Sequence, residues 1–502
     1  KVVKDEKIKF YPSRWTKIYN HWLNNITDWC ISRQLWWGHR IPVWYKNDEI
    51  YCGENPPIGD GWVQDEDVLD TWFSSWIWPM ATLGWPNKTD DIKQFYPTQI
   101  LVTGPDIIFF WVARMIMSGL YFKNEIPFSA VYFTSIIRDD KGRKMSKSLG
   151  NSPDALELFD KYGVDAVRIS ILMIAPQGTD VLFSVDRIEQ GRNFMNKLWN
   201  CSRFLLINIE NPKAIKNIDS IDSNLFEDID VWILSKLNKT ILDVNKYLDS
   251  YKLNEAVKTM YNFIWKDFCD WYIEFAKIRI YGSNENDREC VISTAVHVLK
   301  NILKLLHPYT PFITEEIWNY FSDKKTNFII EANWPVENKQ LINTKTEKEM
   351  TFIMSIITAI RNMKSELNVS PKKEISLVCR GENSKTSIIM NNKQYFENLV
   401  KANEVICAEK MDKPDKSSTL VIDSVEIFIP LANLINVDKE IIRLQDKMKD
   451  YEGRMNSVKK KIDNENFVKR APKEIVKHEK DKYLNYKNNF EKLKDNLDNL
   501  LS

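Results

Sequence analysis

The sequence predicts a multidomain protein: α/β in its first part, all-α after that, then a small α/β segment and a closing antiparallel coiled-coil hairpin. Three patterns carry this. Apolar, β-branched runs at 99–102 and 130–137 are each followed by a polar, glycine-containing turn and a helix start. Between residues 228 and 321 apolar positions recur every three or four residues, as in Trp232, Leu234, Leu237, Ile241 and Leu242. Near the end, two heptad runs lie on either side of a helix-breaking stretch.

Size and composition agree. At 502 residues the chain exceeds what one core holds, so three or more domains are expected. Hydrophobic residues make up 44% and charged residues 28%, an ordinary globular balance. No apolar run reaches the roughly 20 residues of a membrane span, so no membrane partner is expected. The seven cysteines form no C-x-x-C pair, which argues against a zinc ribbon or disulfide framework and for a reducing, cytoplasmic setting. Net charge is +1, so a nucleic-acid partner would have to be held by local basic patches. Twelve of the eighteen tryptophans lie at or before Trp111, which predicts an aromatic-rich, well-packed first part.

In the first strand–turn–helix unit, Gln99 to Val102 reads as a buried strand, Thr103-Gly104-Pro105-Asp106 as the turn, and 107–120 as an almost uniformly apolar helix. Ligands of open α/β sheets bind outside the carboxyl ends of strands, where this turn lies. Glycine lets a ligand approach the backbone, and the Asp106 carboxylate can accept bonds from hydroxyls. A capping aspartate beside a packing glycine fits the pattern equally well. The second unit turns through Lys141-Gly142-Arg143-Lys144-Met145-Ser146-Lys147-Ser148, with four Lys/Arg in seven residues. Ser152-Pro153-Asp154 then reads as a helix start, with Ser152 as cap and Pro153 at the first helical position. A mobile cationic loop at a strand end suits a polyphosphate: ammonium groups meet phosphate oxygens as point charges, and hydroxyls and amides add hydrogen bonds.

Helices follow. One runs from Tyr162 to near Pro176, and a longer amphipathic one opens at Gly191. The bundle of 228–321 has an aromatic seam of Trp265, Phe268, Trp271 and Tyr272 beside Asp270. Residues 353–367 read as an amphipathic helix, and 374–379 and 424–429 as strands. In the tail, Ile441, Leu444, Met448, Tyr451, Met455, Val458 and Ile462 repeat at 3-4 spacing. So do Tyr483, Tyr486, Phe490, Leu493, Leu497 and Leu500, with Val476 one heptad earlier, and residues 464–472 break the helix. Residues 437–502 carry 17 Lys/Arg against 13 Asp/Glu.

The lysine loop, as GRKMSKSLGN at 142–151, resembles the KMSKS signature of class I aminoacyl-tRNA synthetases at all five positions. Within that class the chain is similar to the valyl-tRNA synthetases. The runs CISRQLWWGHRIP at 30–42 and TWFSSWIWPMATLGWP at 71–86 are in the valine style rather than the isoleucine style, WKDFCDWYIE at 265–274 resembles the anticodon-binding domain, and the tail resembles the coiled coil. The resemblance covers nearly the whole chain, from about Trp15 on.

It implies the C-terminal half of a Rossmann-like class I catalytic domain at 1–175 and a helical-bundle anticodon-binding domain at 176–336. A small α/β connector would fill 337–436, and an antiparallel coiled-coil tRNA-binding arm 437–502. The implied activity is ATP-dependent attachment of valine to its tRNA through valyl-adenylate, with ATP and Mg²⁺ entering as the substrate complex. Lys147 would be catalytic with Lys144 in support. Gly104, Asp106, Met145, Ser146 and Ser148 would bind ATP, with the G-x-D element on the ribose. Trp72 and Trp111 would wall the amino-acid pocket, with Asp70 either at the substrate ammonium or capping its loop. Lys197, Arg203, Lys277 and Arg279 are candidate tRNA phosphate contacts, and no resident metal is expected.

One departure is large. The His-x-Gly-His signature is absent, since Trp-Trp-Gly-His39 lies in another element, and there is no room for an inserted editing domain. The chain is therefore expected to be the C-terminal portion of a monomeric enzyme, inactive alone, whose N-terminal half is in the same polypeptide or a separate chain. A non-catalytic tRNA-binding remnant is the alternative, and an isoleucine–tRNA ligase the alternative within the class.

Overall fold

The computed structural model describes residues 1–321, 328–431, 434, 437–464 and 473–501. The chain divides into two compact units, one of Lys1–Asn200, Thr240–Asn262 and Ile302–Pro335, the other of Cys201–Lys239, Phe263–Asn301 and Val336–Ser502.

The first unit is built on a three-stranded parallel sheet. Phe128–Phe133 lies at its centre between Lys9–Tyr11 and Thr98–Thr103, with Leu101 opposite Val131 and Thr103 opposite Phe133. Parallel neighbours need a long crossover, and the helical run Pro105–Lys123 supplies most of it. At 19 residues that run is, contrary to the sequence reading, apolar and long enough to cross a membrane by length and composition alone. Here it is the layer that covers the sheet: Ile108, Val112, Ala113, Met115 and Ile116 pack with Phe10, Phe128, Val131 and Phe133 in one buried cluster.

Several expectations change. The crossover is not one uniform helix. It runs from a 3₁₀ turn (Pro105–Ile107) through π turns (Ile108–Ala113), an α turn (Arg114–Ser118) and π turns again (Gly119–Lys123). Strand Thr98–Thr103 is buried on one face only. Leu101 and Thr103 point into the core, while Ile100 and Val102 are exposed on the other face. The tryptophans are not uniformly packed either. Trp36 and Trp37 are 92% and 85% exposed, because they sit between strand Ser32–Arg33 and a small antiparallel sheet with little of the unit over them. That sheet places Val43–Lys46 between Glu49–Cys52 and Val63–Gln64, none of which the sequence pattern had marked.

Beyond the lysine loop, helix Ala155–Tyr162 is capped by Asp154, whose carboxylate accepts from the Leu156 amide at 2.8 Å. Ser152 is not the cap, because Asp154 stands immediately before the first helical residue and reaches the free amides first. Helix Val164–Ile174 follows. Its buried Asp165 accepts from the Ile313 amide at 2.7 Å, which ties it to the start of helix Pro311–Trp318.

The second unit holds helical segments and a four-stranded sheet. In the sheet, Ile375–Arg380 pairs in parallel with Ala402–Ala408 and antiparallel with Val425–Pro430, which pairs with Ser417–Ile422. The strands at 402–408 and 417–422 were not legible in advance. The helical part is organised around buried charge. Asp230, fully buried, accepts from the Tyr272 hydroxyl at 3.0 Å and from the guanidinium of Arg279, which also donates to the Leu225 carbonyl. Burial is the largest influence on both charges and pushes the Asp230 carboxyl up; contact with that carboxylate holds Arg279 more firmly protonated than usual.

The tail forms two helices, Val437–Ile462 and Lys473–Leu501. They are antiparallel, because Tyr451 meets Tyr486 (6.0 Å between ring centroids) while Lys461, further along, meets Glu479 (3.7 Å), earlier in its helix. Leu444 and Val458 are buried in the seam. Glu479 fills a seam position that the heptad reading left blank, paired with Lys461 and Lys482. Residues 465–472, where the turn was expected, lie outside the described residues.

Removing Asp230 leaves Arg279 buried without its closest counter-charge. Asp230→Ala is therefore expected to lower stability by about 3–5 kcal/mol, the cost of breaking a buried pair on one side. Denaturant unfolding of the chain measures this, and a loss below about 1 kcal/mol would mean that water or Glu227 compensates.

Candidate active site at the lysine loop

The site follows from strand direction. Because Thr98–Thr103 and Phe128–Phe133 run parallel and in register, both carboxyl ends open on one edge of the sheet. The Thr134 amide donates to the Thr103 carbonyl at 2.9 Å, so the two chains leave side by side. One continues into Gly104-Pro105-Asp106, the other into the lysine loop. They meet again where Lys144 Nζ lies 3.0 Å from Asp106 Oδ2. Both side chains are largely exposed, so this pair is weak and exchangeable rather than a structural tie. At Gly104 a Cβ would stand 2.6 Å from Asp106 Oδ1, so the absence of a side chain there is what lets the carboxylate fold back over the turn.

The loop is not an open turn but is hydrogen-bonded to itself. Strand Ile137–Arg138 pairs in parallel with Val181–Leu182, and Arg138 forms a further antiparallel bridge with Lys144. Arg138 also reaches Asp180 and the Gly142 carbonyl. The buried Asp139 carboxylate gathers the turn, accepting from the Lys141 and Arg143 amides, from Arg143 Nε and from Asn151 Nδ2. Asn151 Oδ1 accepts from the Ser146 amide at 2.9 Å, and Ser146 Oγ accepts from the Leu149 amide at 3.2 Å. Met145 is half-buried and Ser148 exposed. Lys147–Leu149 forms a 3₁₀ turn; the side chain of Lys147 lies outside the described residues.

A second group of side chains lies along the π-helical turn Ile108–Ala113. Asp70 caps helix Thr71–Ser75, accepting from the Trp72 amide at 2.7 Å, and is paired with Arg33. Of its two expected roles, the capping one is what the geometry displays. Trp72 and Trp111 come from elements that touch, since Trp111 Nε1 donates to the Ser75 carbonyl at 3.1 Å. Their ring partners are others: Trp72 stacks on Phe110 at 5.9 Å and Trp111 tilts against Trp78 at 5.9 Å. Arg114 is buried with its guanidinium 3.3 Å from the centre of the Trp29 ring and 5.6 Å from that of Phe110, and burial lowers its pKa. Phe110, Trp78 and Arg114 were not singled out in the sequence. The signal was there, in an arginine inside an otherwise apolar helix. Lys197, half-buried, and Arg203, exposed, both lie on helix Val185–Ile207, away from either group in sequence, while Lys277 is paired with Glu274, and Arg279 is no phosphate contact because it is buried against Asp230.

Comparison with known proteins adds to this geometry. Residues 1–57 and 58–184 match the family model for class I tRNA synthetases (I, L, M and V), 230–379 that for the anticodon-binding domain of tRNA ligase, and 436–501 that for the valyl tRNA synthetase tRNA-binding arm. The valine–tRNA ligase of Oceanobacillus iheyensis is 42% identical over 510 residues, covering 99% of this chain and 56% of that protein. That of Clostridium tetani is 44% identical over 503 residues, covering 98% and 56%. The chain belongs to the valyl-tRNA synthetase family. It spans about half the length of the curated relatives it matches. Among solved structures, the LeuRS of Agrobacterium radiobacter K84, in a ternary complex with tRNA and LeuAMS, superposes with a TM-score of 0.52 at 15% identity. That match covers 78% of this chain and 53% of the other, and it speaks for a shared class I fold. The class I synthetase match thus falls on the unit's sheet and lysine loop, and the tRNA-binding-arm match on the two tail helices.

The loop's electrostatics make one prediction. The bond from Asn151, followed by those from Arg143, holds the Asp139 carboxyl down to about 2 from its usual value near 3.8. A carboxyl whose pKa is depressed by folding supports its structure above the unfolded pKa and withdraws that support as pH falls through the folded one. The Lys141 and Arg143 amides are therefore expected to stay protected from hydrogen exchange, relative to intrinsic rates, at pH 4 and to lose protection between pH 4 and 2. Protection that is the same at both ends of that window would show that Asp139 does not hold the turn as an anion.

Proposed function

We propose that this chain carries the ATP-binding, phosphate-loop and tRNA-binding parts of a valine–tRNA ligase, which activates valine with Mg²⁺–ATP and passes it to tRNA. The observation that carries the reading is the meeting of the Gly104–Asp106 turn and the lysine loop at one sheet edge, where Lys144 contacts Asp106. A ribose placed on Asp106 would put a triphosphate within reach of the loop. It would also take the carboxylate from Lys144, freeing that ammonium for phosphate oxygens. Nucleotide binding and loop engagement would then be coupled through one exposed, easily exchanged ion pair.

In this reading Asp106, beside Gly104, accepts from ribose hydroxyls, and Met145, Ser146 and Ser148 line the nucleotide side of the loop. Lys147, supported by Lys144, meets the charge that develops on the departing pyrophosphate, the point at which fixed cations favour a transition state over its ground state. The metal enters with ATP as part of the substrate. Among the described residues no cluster of three or more His, Cys, Asp or Glu side chains offers a resident metal site. Trp72 and Trp111, with Phe110 and Trp78 behind them, supply flat apolar area suited to a short branched side chain.

The domain limits follow the same reading: catalytic residues at 1–175, anticodon-binding helices at 176–336, a connector at 337–436 and the tRNA arm at 437–502. Lys197 and Arg203 are assigned to tRNA phosphates, as are the lysines of the arm. The reaction would take place in the cytoplasm, in a monomer that includes the remaining length its relatives possess.

The direct test is Lys147→Ala in an enzyme of full relative length. Valine-dependent ATP–pyrophosphate exchange should fall by about 10²–10³, the range for losing one transition-state donor. Valine binding should change little, because the lysine serves phosphates. Near-normal exchange would reduce the loop to ordinary cationic surface.

A further inference from the structure

Asp139 opens the lysine loop and Asn151 closes it, and the proposed function gives neither a part in the reaction. Asp139 is 5% exposed. Its Oδ1 accepts from the Lys141 amide at 3.1 Å and the Arg143 amide at 2.7 Å; its Oδ2 accepts from Arg143 Nε at 2.8 Å and Asn151 Nδ2 at 3.0 Å. The Asn151 amide nitrogen also donates to the Lys144 carbonyl at 3.3 Å, while its oxygen accepts from the Ser146 amide. The two side chains thus hold, from below, the backbone on both sides of Lys144 and Met145.

We propose that Asp139 and Asn151 are the positioning residues of the phosphate loop, a side-chain pair that shapes the backbone carrying Lys144 and Lys147 before the nucleotide arrives. This rests on the reading of the loop as a triphosphate site. The need for such a device is electrostatic. Four cationic residues, Lys141, Arg143, Lys144 and Lys147, fall within seven positions of the chain, and like charges so close in sequence favour a turn splayed into water. A carboxylate offsets part of that repulsion, yet one facing the ligand would repel phosphate. Asp139 meets both demands. Its charge is buried with both oxygens taken by loop donors, while the Lys144 side chain stays largely exposed and reaches Asp106 instead. Cations fixed in this way need no reorganisation as charge develops on the phosphates.

An ordinary structural turn would contain the same bonds, so the test must separate shape from consequence. Asp139→Asn sets an NH₂ group against Arg143 Nε and Asn151 Nδ2, donor against donor. Asn151→Asp sets a second carboxylate at hydrogen-bond distance from the first. Exchanging the two side chains, in the double variant, restores one donor–acceptor match between the positions. Two readouts are needed. The first is trypsin cleavage after Lys141, Arg143, Lys144 and Lys147 in the 502-residue chain, alongside its thermal midpoint. The second is kcat and KM for valine-dependent ATP–pyrophosphate exchange by the full-length enzyme.

Each single variant is expected to speed loop cleavage about tenfold or more, as loss of a charge-assisted bond implies. It should lower kcat by about 10–10²-fold, the effect of displacing a reacting group by around 1 Å. KM for valine and the thermal midpoint should stay as they were, and the exchanged pair should recover part of both losses. Unchanged cleavage, faster cleavage with unchanged kcat, or an exchanged pair no better than either single variant would each overturn the proposal. The underlying reading stays separable. If Lys147→Ala is damaging while the Asp139 and Asn151 variants are silent, the positioning role alone is wrong. If Lys147→Ala is silent too, the loop is not a phosphate site.

Discussion

The parallel pairing of Thr98–Thr103 with Phe128–Phe133 is the constraint on which the candidate site depends. Two strands in parallel register must end at the same edge, and whatever follows each is delivered to one place. Here one is followed by a glycine-proline-aspartate turn and the other by a cationic loop. Asp106 and Lys144, far apart in sequence, meet at 3.0 Å because the ladder delivers both segments to the same edge. A register slip would turn each strand's core residues outward, so the buried set of Leu101, Val131 and Phe133 also fixes the site. The apolar crossover 105–123 covers the sheet and, through its π turns, presents Phe110 and Trp111 to the neighbouring helix.

Charge is handled differently in the two units. At the loop, acidic groups act as counterweights to a cationic surface: Asp139 beneath it is saturated with loop donors, and Asp106 beside it is exposed and exchangeable. In the second unit, Asp230 and Arg279 are both removed from water, and their value lies in what would be lost if one partner went. The first arrangement suits the proposed meeting of the loop with a polyanion. The second suits a core that must hold one packing.

Much of this was legible in the sequence, for identifiable reasons. The G-P-D turn, the lysine loop and the heptads are local patterns, and each sits where its pattern placed it. Tyr451 and Tyr486, both read as seam positions, meet as the antiparallel hairpin requires. What was not legible depends on contacts between distant residues. The strands at 43–52 are short and lie among tryptophans that read as core, and nothing local marks Trp36 and Trp37 as exposed. Ser152 looked like the cap because Pro153 follows it, but distance to the first free amide favoured Asp154. Asp139 and Asn151 look like turn residues, and only the fold reveals that they hold each other. Glu479 in the arm's seam breaks the apolar rule and is carried there by Lys461 and Lys482.

The central claim is that one nucleotide spans the turn and the loop. The most direct measurement is a structure of the full-length enzyme with Mg²⁺ and a non-hydrolysable ATP analogue. The account predicts ribose hydroxyls on Asp106, the triphosphate on the lysine loop, and the Lys144–Asp106 pair parted with Lys144 turned to phosphate. A nucleotide bound elsewhere, or bound with that ion pair intact, would contradict it.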